Sequence, residues 1–367
     1  QGIPEETAQN LNTTEIRLMD RWLRRHTPMR DRVFRNTRQT LLDYQAAGII
    51  PPEVTIPTRE VQDVFIAMTP QERDLYNRIE DYITRYYNAY KASGQQALGF
   101  IMTIYRRRLT SSFYAIRCSL ERRLDALRNG QALAELLTDD DYPALEADPL
   151  FDVEGLDVGI GEMHSEIHEL EQFVASLRDI GGDDSKSKQL LSDLQTALYK
   201  YASVVVFTQY TDTMDSIRKQ LVAAGYSQHA RAGCYSGRGG EIWNPDTGTW
   251  EPVTKQDIKT MFRDGTIKIL IGTDSMSEGL NLQTCGRLIQ YEMPWNLMRA
   301  EQRNGRVDRI GATYKNILVT NYFYAGTVEE SVYRGLAEDY GDFTNIVGSA
   351  QPVLADIAKT IEQYALT

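Results

Sequence analysis

The 367-residue chain has no GxxxxGK[ST] sequence and no strand ending in an acidic DExx box. A lysine-bearing phosphate loop and a metal-holding acidic pair are both needed for nucleotide hydrolysis, so the chain by itself lacks that machinery. It has no apolar run long enough to cross a bilayer. The longest, such as SVVVF at 203–207, are the size of a core strand, and no membrane partner is expected. No signal-peptide pattern opens the chain. Cysteine is sparse: Cys118, Cys234 and Cys285 lie without metal-ligand spacing. That argues against a disulfide scaffold and fits a reduced, cytoplasmic setting. Histidine is rarer than in most chains of this length, with four residues. His164 and His168 flank Ser165, Glu166 and Ile167, but an HExxH zinc site needs glutamate directly after the first histidine, so no metal site is read here. Lysine and arginine number 40 against 51 acids, for a formal charge of −11. This argues against blanket nucleic-acid affinity and leaves such a role to a local basic stripe. The first residue is Gln1 rather than Met, which predicts a piece of a longer polypeptide.

What is present has the balance of an ordinary globular protein, 42% hydrophobic and 25% charged, and enough length for two or three domains. Residues 1–60 read as a linker, with a helix in TTEIRLMDRWLRRH and prolines 51, 52 and 57 marking a break. Residues 61–200 read as a mostly helical region. It opens on an alternating strand, VQDVFIAM, followed by a helix with a Thr69–Glu72 capping box and Pro70 at its first position. The cluster YRRRLTSSFYAIRCSLERRL carries six arginines (106, 107, 108, 117, 122, 123). Two readings stand side by side: a phosphate-contacting face, or a solvated helix surface with its aliphatic stems packed down. Residues near 137–160 are acidic and read as an insertion, and a helix pair follows, broken at GGDD (181–184).

From 201 to 325 short apolar strands alternate with helices, which predicts a parallel α/β sheet flanked by helices. EIWNPDTGTWEPV, near 241–253, reads as an inserted hairpin, and residues 326–367 as closing helices. Ligands of open parallel sheets bind at the carboxyl ends of the strands. The polar residues there are Thr208, Gln209, Tyr235 to Gly240, Gly272 to Glu278 and Glu292 to Asn296. Thr208 or Ser275 alone is more readily a helix cap than a ligand contact. Joined to Gln302, Gly305, Arg306 and Arg309 in EQRNGRVDRIG, they make a site. Arg306 and Arg309, three apart, are predicted to share one helix face, with Gly305 leaving room for a phosphate chain.

These stretches resemble, in order, those of superfamily-two helicases. QRNGRVDRIG (302–311) resembles motif VI, GTDSMSEGLNLQ (272–283) motif V and VVVFTQYTDT (204–213) motif IV. EMPWN (292–296) resembles the tryptophan-bearing segment of SWI/SNF-type ATPases, although Leu297 stands where that family often has proline. FRNTR (34–38) and the tail GTVEESVYRGL with VGSAQPVL resemble the bacterial RapA-like branch. The resemblance implies the second RecA-like lobe of an ATP-dependent translocase on double-stranded DNA, preceded by a helical protrusion. It implies ATP and Mg²⁺ held mainly by a first lobe outside this sequence, so the chain alone is expected to be inactive. Arg306 and Arg309 would stabilise charge on the γ-phosphate, oriented by Gln302, with Gly279, Glu278, Asn281 and Gly305 beside the nucleotide. Thr208, Gln209, Gly237, Arg238, Thr273, Asp274, Ser275, Trp295, Asn296, Arg106 and Arg107 would face nucleic acid. Partners implied are that DNA, or transcription-associated nucleic acid, the first lobe, and RNA polymerase or defence-system subunits. A non-catalytic helicase-like scaffold or interaction module is the rival reading.

Overall fold

In the computed structural model the described residues are 38–130, 136–141, 164–226, 231–277, 279–294, 297–331 and 333–334. The expected helix at 13–26 and the FRNTR and VGSAQPVL stretches lie outside them, wholly or nearly so, as do most of the 137–160 insertion, Glu278, Trp295 and Asn296.

A helical arm is built from α2 (Pro70–Ala92), α3 (Gln96–Ser111), α4 (Phe113–Asn129) and α5 (His164–Ile180); a short helix α1 (Arg38–Ala46) precedes it. The start of α2 follows from its sequence. The Glu72 amide donates to the Thr69 hydroxyl and the Thr69 amide to the Glu72 carboxylate, with Pro70 where no N–H is missed. Leu75, Ile79, Tyr82 and Ile83 recur at helical spacing and are buried. The arginine-rich stretch is two helices. Ser112 is extended and its hydroxyl accepts from the Ala115 amide, so it ends α3 and caps α4 in one residue.

The lobe is one sheet of β1 (Thr58–Ile66), β2 (Val204–Phe207), β3 (Ala232–Ser236), β4 (Gly239–Asn244), β5 (Thr249–Val253), β6 (Ile269–Gly272), β7 (Arg287–Gln290) and β8 (Asn316–Tyr324). The order is β1-β8-β7-β2-β6-β3-β4-β5, parallel from β1 to β3 and antiparallel through β4 and β5. The central strands VVVF, ILIG and RLIQ are buried along their whole length because helices cover both faces. On one face lie α6 (Ser185–Lys200) and α7 (Thr211–Ala223), and on the other α8 (Lys255–Arg263) and α9 (Leu297–Val307). The parallel sheet, the preceding helices and the 241–253 hairpin are as expected. The hairpin runs back along the sheet edge, so its Asn244–Gly248 turn points away from the carboxyl ends.

Two expectations are revised. The alternating strand at 61–68 is not part of the helical arm: all nine residues of β1 pair with β8 at the sheet edge. Helix α6 also belongs to the lobe, since Leu190, Leu194 and Ala197 pack with Val204 and Ile217 in one core. Thr211 is the first residue of α7, and its amide and hydroxyl both donate to Asp140, at the start of the acidic insertion.

Arm and lobe are joined around the end of α3. Arg108 is buried between Asp141 (2.8 Å) and Asp212 (2.6 Å), with its guanidinium over the Tyr210 ring. Ser111 and Ser112 hydrogen-bond Thr213, and Tyr324, the last residue of β8, lies in the arm's core.

Candidate functional site

The parallel strands end in a laced edge. The Thr208 amide donates to the Gly272 carbonyl (3.0 Å), the Thr273 amide to Tyr235 (3.1 Å) and the Tyr291 amide to Phe207 (2.8 Å). These bonds fix the loops after β2, β3, β6 and β7 against one another. After β6 the chain makes a 3₁₀ turn over Asp274–Ser277, then passes Gly279, whose φ of +84° is a left-handed conformation that favours glycine.

Arg303 anchors α9 to this edge. Its side chain is fully buried; Nε donates to Asp274 (2.7 Å), and Nη1 to the Gln290 side chain (3.2 Å) and the Glu292 carbonyl (3.5 Å). Arg299, one turn earlier, donates to the other Asp274 oxygen (3.1 Å). Burial alone would raise the Asp274 pKa, but Arg303 and Arg299 hold it below the ordinary carboxylate value. Nothing in the EQRNGRVDRIG pattern singles Arg303 out. A helix pattern shows spacing but not which arginine points inward.

The expectation that Arg306 and Arg309 share one helix face is corrected. Helix α9 ends at Val307, so Arg306 lies in its last turn and Arg309 beyond it. The chain after it is tied elsewhere: the Gly311 amide donates to Thr55 and the Gln283 side chain to Ile310. Arg309 is nonetheless brought back, its Nε donating to the Gly305 carbonyl at 2.7 Å. The Leu282 amide donates to the Arg306 carbonyl at 3.1 Å, so the turn carrying Gly279 and Asn281 and the end of α9 meet. Gln302 is exposed, and a Cβ on Gly305 would meet nothing within 4 Å, so this side of the helix is open.

Of the residues expected to face nucleic acid, the structure gathers some and withdraws others. Gly237, exposed Arg238 and half-buried Ser275 are neighbours: a Cβ on Gly237 would lie 3.8 Å from the Ser275 hydroxyl, and Arg238 pairs with Asp215 at 2.7 Å. Gln209 is half-buried, with its amide bonded to Glu292. Thr208 and Thr273 are buried, and the Thr208 hydroxyl donates to both Glu292 oxygens (2.9 and 3.0 Å), so its side chain serves the fold of the edge. Asp274 spends its carboxylate on Arg299 and Arg303. Arg106 is withdrawn altogether: it is buried in the arm against Glu80 (2.6 Å) and Thr84 (2.9 Å). Arg107 is half-buried on the same helix. Among the described residues no group of three or more His, Cys, Asp or Glu side chains comes together to hold a metal ion, and no helix is long and apolar enough to cross a membrane.

Residues 186–311 match the model of the helicase conserved C-terminal domain. The chain contains a helicase C-terminal domain. The match begins at Lys186, inside the helix that packing assigns to the lobe, and ends at Gly311, just beyond Arg309. The chain is homologous to ATP-dependent helicases. It is 28% identical over 302 residues to an uncharacterized ATP-dependent helicase, YqhH, of Bacillus subtilis, covering 82% of this chain and 43% of that protein. It is 30% identical over 103 residues to the RNA polymerase-associated protein RapA of Vibrio vulnificus, 28% of this chain and 10% of that one. The chain thus spans less than half the length of these relatives. Among solved structures it resembles the C-terminal part of the Fun30 ATPase domain (TM-score 0.47, 15% identity, 85% of this chain and 97% of that one). It resembles equally the Sulfolobus solfataricus SWI2/SNF2 ATPase core in complex with dsDNA (TM-score 0.47, 15% identity, 84% and 50%).

Proposed function

We propose that this chain is the second RecA-like lobe, with its helical arm, of an ATP-dependent motor that moves along double-stranded DNA. The observation that carries this reading is the meeting of the arginine-bearing end of α9 with the Gly279–Asn281 turn at the carboxyl edge of the parallel sheet. Two guanidiniums and an open glycine there suit a phosphate chain. Bound ATP supplies the phosphoanhydride bond whose cleavage drives such a motor, and a first lobe would hold it with its Mg²⁺.

Within this chain, Arg306 and Arg309 place positive charge where the γ-phosphate becomes more negative, and Gln302 orients the helix end that carries them. Gly279, Asn281 and Glu278 border the nucleotide. Gly237, Arg238, Ser275 and the Gln209 loop, with Trp295 and Asn296, grip the nucleic-acid backbone. A grip on phosphates is largely sequence-independent and salt-sensitive. The naming of RapA as RNA polymerase-associated favours transcribed DNA as the track.

The test joins this chain to an ATP-binding lobe and measures DNA-stimulated turnover. Arg306→Ala or Arg309→Ala is expected to cut turnover by about 10³-fold, the low end for a properly placed arginine finger. Wild-type turnover in either variant would overturn the arginine-finger assignment, and no DNA-stimulated turnover in the unsubstituted joined protein would favour a non-catalytic scaffold.

A further inference from the structure

Glu292 is a buried acid that the reading above leaves without a task. It follows β7 with 3% of its surface exposed. Its carboxylate accepts from the Thr208 hydroxyl and from the Gln209 amide, the two residues that follow β2. Its own carbonyl accepts from Arg303, the anchor of α9. One residue therefore touches both the loop read as nucleic-acid-facing and the helix read as nucleotide-facing.

Tyr291, the residue before Glu292, is approached by Lys186. This lysine is completely buried at the start of α6 and donates to the carbonyls of Thr110 (2.6 Å) and Ser111 (3.2 Å), at the end of α3 in the arm. Its ammonium lies over the rings of Tyr324 (4.2 Å) and Tyr291 (5.4 Å). Burial pushes the Glu292 carboxyl up, while Arg303, the Gln209 amide and Lys186 pull the other way. Burying such charges costs several kcal/mol per ion before partners offset it, and apolar side chains of similar size often do as well for stability.

The loop is held from its far end too. Tyr210, Thr211, Asp212 and Thr213 are gripped by Arg108, Asp140, Ser111 and Ser112, all from the arm or the segment after it. A shift of the arm would therefore reach residues 208–213 from both sides.

We propose that Glu292 is a positioning residue that sets the Thr208–Gln209 loop against the arginine-bearing helix, and that Lys186 makes this setting depend on how the helical arm is seated. The functional consequence rests on the motor reading; the positional claim does not. Glu292→Gln keeps the shape and removes the charge. In this chain it is expected to speed hydrogen exchange at the Gln209 amide by about tenfold, with the Val204–Phe207 strand unchanged. Lys186→Met, which removes the donor to the Thr110 and Ser111 carbonyls, is expected to speed the same amide, while Lys186→Arg restores it. If Glu292 and Lys186 act as a unit, the double variant exchanges no faster than Glu292→Gln alone. Should Glu292→Gln fail to fold, Thr208→Val removes a donor to the same carboxylate and is expected to loosen the Gln209 amide likewise. Unchanged exchange at Gln209 in the folded variants, or additive effects of the two substitutions, overturns the proposal. Joined to an ATP-binding lobe, Glu292→Gln is further expected to raise the DNA concentration for half-maximal stimulation about tenfold, or about 1.4 kcal/mol. If the joined protein shows no DNA-stimulated turnover while Gln209 still loosens, the motor reading fails and the positional claim stands.

Discussion

The arm and the lobe both bury charge, and they do so differently. Apart from Arg108, which bridges to the lobe, buried ions of the arm pair between its own helices: Arg123 lies 2.5 Å from Glu166 and 2.6 Å from the Tyr90 hydroxyl, and Arg106 lies 2.6 Å from Glu80. In the lobe, buried ions reach between the ends of strands and the start of the next element. Arg303 joins Asp274 and Gln290, and Glu292 joins Thr208 and Gln209. Arm charges lock helix to helix. Lobe charges set loops that point outward. Arginine content alone does not mark a phosphate-binding surface; the position of the nearest acid decides.

That contrast can be broken by experiment. The largest effect is expected from Glu166→Ala, which leaves Arg123 buried without its carboxylate and should destabilise the arm by about 3–5 kcal/mol. Hydrogen exchange would show whether the arm loosens while the β2 amides hold; equal loosening of both would mean one cooperative unit rather than two. A smaller effect concerns pH. Asp274 has a folded pKa below its unfolded value, so its contribution is fully present above about pH 4 and is lost as pH falls through the folded value. Thermal melts between neutral pH and pH 3 should fall more steeply in the wild type than in Asp274→Asn. Parallel curves would remove Asp274 from the lobe's acid sensitivity. The smallest effect is Thr69→Ala, which removes half of the capping box and should cost the arm about 1 kcal/mol. A loss beyond twice that would mean Thr69 serves more than α2, a reading its neighbour Glu72 makes testable, since that carboxylate also accepts from the Ser185 amide (2.8 Å) at the start of α6.

Much of the fold was legible because it is local. Period-two and period-3.6 patterns, the Thr69–Glu72 box and the Asn-Pro-Asp-Thr-Gly turn each depend on residues a few positions apart, and those elements appear where expected. The ordered motifs from 204 to 311 were legible for the same reason, and the helicase C-terminal domain match covers them. The site was less so. Arg306 and Arg309 at a spacing of three suggested one helix face; the helix stops at Val307 because the following turn is bonded to Thr55 and Gln283, which no nearby residue announces. Arg106 read as a phosphate-contacting or solvated cation, yet it is buried against an acid 26 positions away, as Arg303 is against one 29 positions away.

By itself, then, the sequence determined the elements, the parallel character of the central sheet and the order of its strand-end motifs, since each rests on short-range sterics and periodicity. Only the tertiary structure decided that β1 closes the sheet against β8 across 258 residues, that α6 belongs to the lobe, and that Lys186 reaches the arm while Glu292 holds the loop after β2. Those outcomes depend on which buried charge finds which partner, and desolvation makes that choice only once the chain has closed around them.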